Sequence, residues 1–223
     1  MAQWSLIQYE AIMTRLTALV SIFCFLILTA CGGGADSPAM TDTPTSVPAA
    51  PPPTIQLFGD STMRMVSFPL IAQYGSRMTN RAVNGSSSTQ LVTGTDGLNA
   101  PWPGSVTARY VIVNHGLNDG LPARRITLDA YRANLEVLAS APGAEVIFQT
   151  PMQSLMPGRD MTDYTATMRE VAAARGLRVI DMFACFQAVP GWRSMLYDGT
   201  HPNAAGLDVM MACMRPTIDS LES

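Results

Sequence analysis

The sequence predicts an α/β fold in three layers, α/β/α, around a parallel sheet of about five strands. Three observations predict it. From Thr54 onward, short apolar runs alternate with amphipathic helical patterns, which implies a parallel sheet covered on both faces. Runs such as "YVIV" at Tyr110–Val113 are apolar without alternation, as strands buried on both faces are. The chain has 223 residues, 48% of them hydrophobic, enough for one core and cramped for two.

The elements follow in chain order. Residues 1–30 read as a signal peptide: the apolar run 16–30, "LTALVSIFCFLILTA", follows Arg15 and is short for a spanning helix. It ends in Leu28-Thr29-Ala30-Cys31, which resembles a bacterial lipobox, where Cys31 is lipidated. That implies a membrane partner through an N-terminal lipid anchor and a cell-envelope location. An uncleaved anchor with a chance cysteine is the other reading. Residues 1–12 carry Glu10 and no basic residue, so Met13 offers a tidier start for such a signal. Residues 31–53 are rich in Gly, Pro, Ser, Thr and Ala with almost nothing to bury, the composition of a flexible tether.

The domain occupies 54–223. Its predicted strands are Ile55–Phe58, Arg81–Val83, Tyr110–Val113, Val146–Gln149 and Arg178–Ile180. Predicted helices cover Val66–Tyr74, Leu128–Ala139, Met161–Arg175 with Gly176 as a stop, and Ala204–Leu221 with a kink or break near Pro216. Ligands of such sheets bind outside the carboxyl ends of the strands, so the strand ends carry the functional information.

Four strand ends and loops stand out. The first strand runs into Gly59-Asp60-Ser61-Thr62. Alone, that is a helix start with Asp60 or Ser61 as N-cap. A serine there also has its N–H at a helix N-terminus, where a negative oxygen is favoured. The second strand leads to Asn84-Gly85-Ser86, the third to His115-Gly116-Leu117-Asn118-Asp119, and the last helix is preceded by Asp198-Gly199-Thr200-His201. Together they supply the parts for acyl transfer. A serine needs a base, the base needs an acid to fix its tautomer, and the oxyanion needs N–H donors.

These motifs resemble those of the SGNH hydrolases, the GDSL-type esterases and lipases, over the whole stretch from Thr54 to the C-terminus. The resemblance implies a flavodoxin-like SGNH fold and a serine esterase working through an acyl-enzyme, with no metal and no organic cofactor. On "FGDST", Ser61 would be the nucleophile and an oxyanion donor. On "NRAVNG", Gly85 would be a second donor, although Gly94 and Gly97 lie in the same connection. On "GLND", Asn118 would be the third. On "DGTHPN", Asp198 would orient His201, the general base. One departure is Thr62, where the family often has Leu or Ile, a change expected to affect packing more than chemistry.

Other residues leave alternatives open. His115, the only other histidine, packs near the third strand or touches substrate. Asp60 and Asp119 hold their turns by hydrogen bonds to backbone N–H groups. Cys185 and Cys213 form a disulfide in an oxidising compartment or stay as buried thiols. Trp102 and Trp192, in Pro/Gly loops, rim a cleft or pack down. Met63, Met65, Met152, Met156, Met195, Met210 and Met211 fill the core or line an acyl groove. Net charge is −3, all fourteen basic residues are Arg, and no basic run suggests nucleic acid. The expected partner is a small-molecule or glycan ester, with short acyl groups such as acetyl on carbohydrate. Lipase, thioesterase, acyltransferase and a silent glycan-binding protein are the alternatives.

Overall fold

The computed structural model describes residues 54–124 and 126–221. The predicted signal peptide, Cys31 and the predicted tether lie outside the described residues.

Five strands form one parallel sheet: β1 (Ile55–Gly59), β2 (Met78–Asn80), β3 (Tyr110–Asn114), β4 (Glu145–Gln149) and β5 (Arg178–Ile180), in the order β2-β1-β3-β4-β5. The order reverses at β1, so the crevice outside the ends of β1 and β3 is a topological switch point. There Gly59 pairs in register with Asn114.

Side chains alternate across the sheet with the two-residue period of a strand. Ile55, Leu57, Tyr110, Ile112 and Ile147 face one core. That core is covered by α1 (Ser61–Tyr74), α5 (Met182–Gln187) and α6 (Ala204–Ser220). Phe58, Val111, Val113, Val146 and Phe148 face the other, under α2 (Ser88–Thr93), α3 (Leu128–Leu138) and α4 (Thr162–Arg175). Each fully buried Leu, Ile or Val contributes about 1.5–3 kcal/mol relative to exposure. The three-layer prediction therefore holds, with two apolar layers of different make-up. The first is rich in methionine, with Met63, Met152, Met210, Met211 and Met214 buried in it. It is also cross-linked, since a disulfide joins Cys185 on α5 to Cys213 on α6 with Cα atoms 6.2 Å apart.

Three boundaries differ from expectation. The second strand lies at Met78–Asn80 instead of Arg81–Val83. Arg81 and Val83 still donate to the Leu57 and Gly59 carbonyls at 2.8 and 2.9 Å, but the Ala82 N–H is taken by the Asn80 side chain, which ends the regular strand. The first helix starts at Ser61, five residues before the predicted Val66, because the Asp60 carboxylate caps the Thr62 N–H. α6 runs through Pro216 to Ser220 without a break, with Met214 and Ile218 buried on either side of the proline. The six-residue helices α2 and α5 are too short to show a helical period in sequence.

Candidate active site

At the end of β1 the chain turns sharply into α1. Gly59 is required there: a Cβ on it would sit 2.7 Å from the Asn114 carbonyl oxygen and 2.7 Å from Met63 Cβ. The turn delivers Ser61 as the first residue of the helix. Its N–H has no carbonyl four residues back within the helix to bond to, and it sits at the positive end of the helix dipole.

Beneath the turn lies a buried polar layer. Asp60 Oδ1 accepts from Thr62 N at 2.9 Å and from Thr62 Oγ1 at 2.8 Å, and Thr62 Oγ1 lies 3.1 Å from Asn114 Oδ1. Asn114 in turn donates to the Gln149 and Thr150 carbonyls at 3.2 and 3.3 Å. Thr62 thus ties the ends of β1 and β3 together by polar contact, a larger role than the packing change expected of it. Burial pushes the Asp60 carboxyl above its ordinary value, against the pull of His115 and of the Thr62 hydrogen bonds. His115 is buried as well, and burial lowers it, against Asp119, Asp60 and Asp96. The Tyr131 hydroxyl donates to the His115 carbonyl at 2.8 Å, and the His115 Nδ1 atom is without a partner. His115 packs under the third strand and is absent from the cleft lining.

The β3 loop is pinned from one point. The Asp119 carboxylate accepts from Ser88 N at 3.1 Å, from the Ser88 hydroxyl, and from Gly116 N at 3.2 Å. Next to it, Asn118 Nδ2 donates one hydrogen to the Ser86 carbonyl at 2.9 Å. An amide nitrogen carries two hydrogens, so the second is left for another acceptor. Gly85 has φ +73°, a left-handed conformation that glycine adopts at no cost. Its carbonyl is held at 2.6 Å by Arg124 Nη2.

The last piece is local. Asp198 Oδ1 accepts from Thr200 N at 2.9 Å and His201 N at 2.7 Å, while Oδ2 lies 2.6 Å from His201 Nδ1. The short loop closes on itself: Tyr197 N donates to the His201 carbonyl at 3.0 Å. Burial raises the Asp198 carboxyl, but the hydrogen bonds from His201 and Thr200 outweigh it and hold the carboxyl below its ordinary range. His201 Nε2 lies 2.8 Å from Ser61 Oγ, across 140 residues of sequence. With Nδ1–H facing the carboxylate, Nε2 is free to accept the serine proton.

The structure thus brings Ser61, Gly85, Asn118, Asp198 and His201 to one cleft of about 900 Å³. Met65, Met156, Tyr197 and Arg159 line it too. Of the methionines, Met65 and Met156 are at the cleft, while Met63, Met152, Met210 and Met211 are core. Neither tryptophan lines the cleft: Trp102 packs edge-on against Phe58 and donates to the Ser140 carbonyl at 2.8 Å, and Trp192 packs against the methionine-rich core. Two cleft residues escaped sequence reasoning. Tyr197 stacks on the His201 ring, 5.7 Å between centroids, and its position just before Asp198 was the available signal. Arg159 sits in an irregular loop after β4 that shows no motif. Among the described residues no cluster of metal-ligating side chains occurs.

The sequence model of the GDSL-like Lipase/Acylhydrolase family matches residues 57–209, well over half of the chain. No curated protein matches. Among solved structures, a lipase/acylhydrolase from Enterococcus faecalis shares 24% identity at a TM-score of 0.62, over 75% of this chain and 96% of its own. A GDSL-like lipase from Bacteroides thetaiotaomicron shares 19% at 0.60, over 75% and 88%. A member of the lipolytic G-D-S-L family from Veillonella parvula shares 20% at 0.55, over 74% and 97%. At these identities the structural likenesses establish the fold.

Proposed function

Because the chain belongs to the GDSL-like lipase/acylhydrolase family, an ester-hydrolysing serine hydrolase family, we propose that it cleaves short acyl esters, such as acetyl groups on carbohydrate, through a Ser61 acyl-enzyme. The observation that carries the residue roles is the relay from Ser61 Oγ to His201 Nε2 at 2.8 Å and from His201 Nδ1 to Asp198 Oδ2 at 2.6 Å.

Ser61 Oγ attacks the ester carbonyl carbon as His201 Nε2 takes its proton. The tetrahedral oxyanion is met by the N–H groups of Ser61 and Gly85 and the second amide hydrogen of Asn118. Collapse breaks the bond to the alcohol, which leaves with the proton from His201. Water then repeats the sequence on the acyl-enzyme and frees the acid. Asp198 keeps the imidazole in the required tautomer and stabilises its charged form.

Two features support the substrate class. Polar Asn84, Asn118 and Thr200 share the lining with Met65 and Met156, which gives a hydroxyl-rich alcohol hydrogen-bond partners there. Tyr197 lies 62% exposed beside His201, offering a ring face on which a sugar could stack. A longer acyl chain is the second reading, favoured by Met65 and Met156 in the cleft lining, Met156 being 45% exposed. Rates over a series of 4-nitrophenyl esters from acetyl to dodecanoyl separate the two. Ser61→Ala should lower turnover of the acetyl ester by about a millionfold, to near background. Full activity in that variant would remove Ser61 from the mechanism.

A lipid on Cys31 would hold this activity at the cell envelope, facing periplasm or exterior. The support is the apolar run 16–30 ending at Ala30-Cys31. Cys31→Ser should move the protein from the detergent-extracted membrane fraction to the soluble one, and an unchanged distribution would count against the anchor.

A further inference from the structure

Four arginines of the domain, Arg132, Arg169, Arg175 and Arg178, pair with Glu170, Asp181, Glu136 and Glu145. Their side chains are 42–54% exposed, so water shares the charge. Arg159 is built differently. It is 9% exposed and lines the cleft that holds Ser61 and His201. Its Nη1 donates to a neutral hydroxyl, Thr200 Oγ1, at 3.3 Å, and its Nε is buried without a partner. Among the described residues no carboxylate lies within ion-pair distance of it. Asp198 is occupied by the His201 ring and two backbone N–H groups, and Asp60 bonds Thr62 through Oδ1 while its Oδ2 has no partner and lies beyond ion-pair distance of Arg159.

A guanidinium stays charged in proteins, and burying a charge without a counter-charge is costly. Burial lowers the Arg159 guanidinium from its ordinary value, against the attraction of Asp60 and Asp198. A fork of five N–H donors with one neutral partner, open to a cleft, fits a carboxylate or phosphate entering that cleft.

Position narrows the choice. Along the sheet edge the cleft residues follow strand order, Gly85 after β2, Ser61 after β1, Asn118 after β3 and Arg159 after β4, and Arg159 reaches Thr200, the neighbour of His201. Arg159 and His201 thus share one end, opposite Gly85. In the proposed reaction His201 protonates the departing alcohol, so that end receives the alcohol. Resting on that esterase reading, we propose that Arg159 is a specificity-determining residue that binds a carboxylate or phosphate on the alcohol portion of the ester. An acylated acidic sugar or sugar phosphate has this chemistry.

The alternative is that Arg159 only braces the 198–201 loop through Thr200. Steady-state kinetics of the detergent-solubilised full chain on matched acetyl esters tell the two apart. 4-Acetoxybenzoate carries the charge on the alcohol side, and 4-acetoxybenzamide is its neutral partner. Mono-4-nitrophenyl succinate against 4-nitrophenyl butyrate tests the acyl side. The expected result is a ten- to hundredfold preference in kcat/KM for the benzoate over the benzamide, the size of a charge-assisted hydrogen bond. Arg159→Gln should collapse that ratio to near one, chiefly through KM, and Arg159→Lys should restore part of it. The ratio cancels any loss common to both esters. Equal turnover of the two by the unaltered protein, or an equal loss on both in Arg159→Gln, overturns the proposal. So does a preference confined to the succinate. Binding of 4-acetoxybenzoate and its amide to Ser61→Ala, read by calorimetry, keeps the test independent of turnover: tighter binding of the anion without hydrolysis by the unaltered protein would sink the esterase reading and leave this one standing.

Discussion

The two sides of the cleft are built by different means. The Ser61 side rests on aspartates sealed in the interior, with Asp60 and Asp119 0% and 1% exposed. Asp119 reaches Ser88 over 31 residues, and Asp60 holds neighbouring Thr62, whose hydroxyl lies against Asn114, 52 residues on. The His201 side rests on Asp198, whose side chain is 41% exposed and whose partners are two and three residues away. The contrast separates tasks. Long-range buried bonds fix where the nucleophile and Asn118 sit, at a cost in desolvation. A self-contained turn presents the base, and its carboxylate stays solvated enough to remain ionised.

Asp198→Asn probes this contrast most strongly. The amide oxygen can still accept from Thr200 N and His201 N, so the loop keeps its shape. It no longer holds the imidazole in the required tautomer, and kcat should fall about ten-thousandfold. The melting temperature should move by less than about 2 °C, since a half-exposed pair adds little stability. Asp119→Ala should do the reverse. It strands the Ser88 and Gly116 donors in the interior, and losing such a buried anchor costs about 3 kcal/mol. For a domain of this size that lowers the melting temperature by about 6–12 °C. A stable Asp119→Ala, or an Asp198→Asn that unfolds, would erase the distinction between the two sides.

The same distinction decides what could be read from the sequence. Asp198 and His201 are three residues apart in one turn, so their relation is visible in the string itself. The strands Tyr110–Val113, apolar throughout, and Ile55–Phe58, apolar but for Gln56, were legible because a parallel sheet buries both faces. Helices of eleven and fourteen residues, α3 and α4, show their period, while six-residue α2 and α5 cannot. The place of Met78–Asn80 was missed because one methionine followed by two polar residues is too short to carry a strand pattern. Arg159 was missed for a physical reason too. Its setting depends on Thr200, forty-one residues away, and on burial that no local spacing encodes. The family resemblance supplied Ser61, Gly85 and Asn118 as a set, and the fold brings them to one cleft.

The smallest expected effect separates the two sides by the sign of a pH dependence. The Asp60 carboxyl is raised in the folded protein, whereas Asp198 is lowered. Below the unfolded value of 3.8, Asp60 is protonated in both states and gives no differential. As pH rises from there, the unfolded chain loses its proton first, the native state binds more protons, and stability drops until the folded value is passed. Asp198 runs the other way: its contribution is present above 3.8 and is lost as pH falls through the lower folded value. Asp60→Asn keeps the acceptor for Thr62 N and Thr62 Oγ1 and replaces Oδ2, which has no partner. It removes the burial penalty on the charge, so the variant should gain stability over the unaltered protein as pH rises from 3.5 to 8, with no gain at the acid end. Urea midpoints of the two proteins across that range read the difference. A gap that stays constant with pH would mean that Asp60 folds with its charge fully compensated, and that the interior side of the cleft bears no electrostatic penalty there.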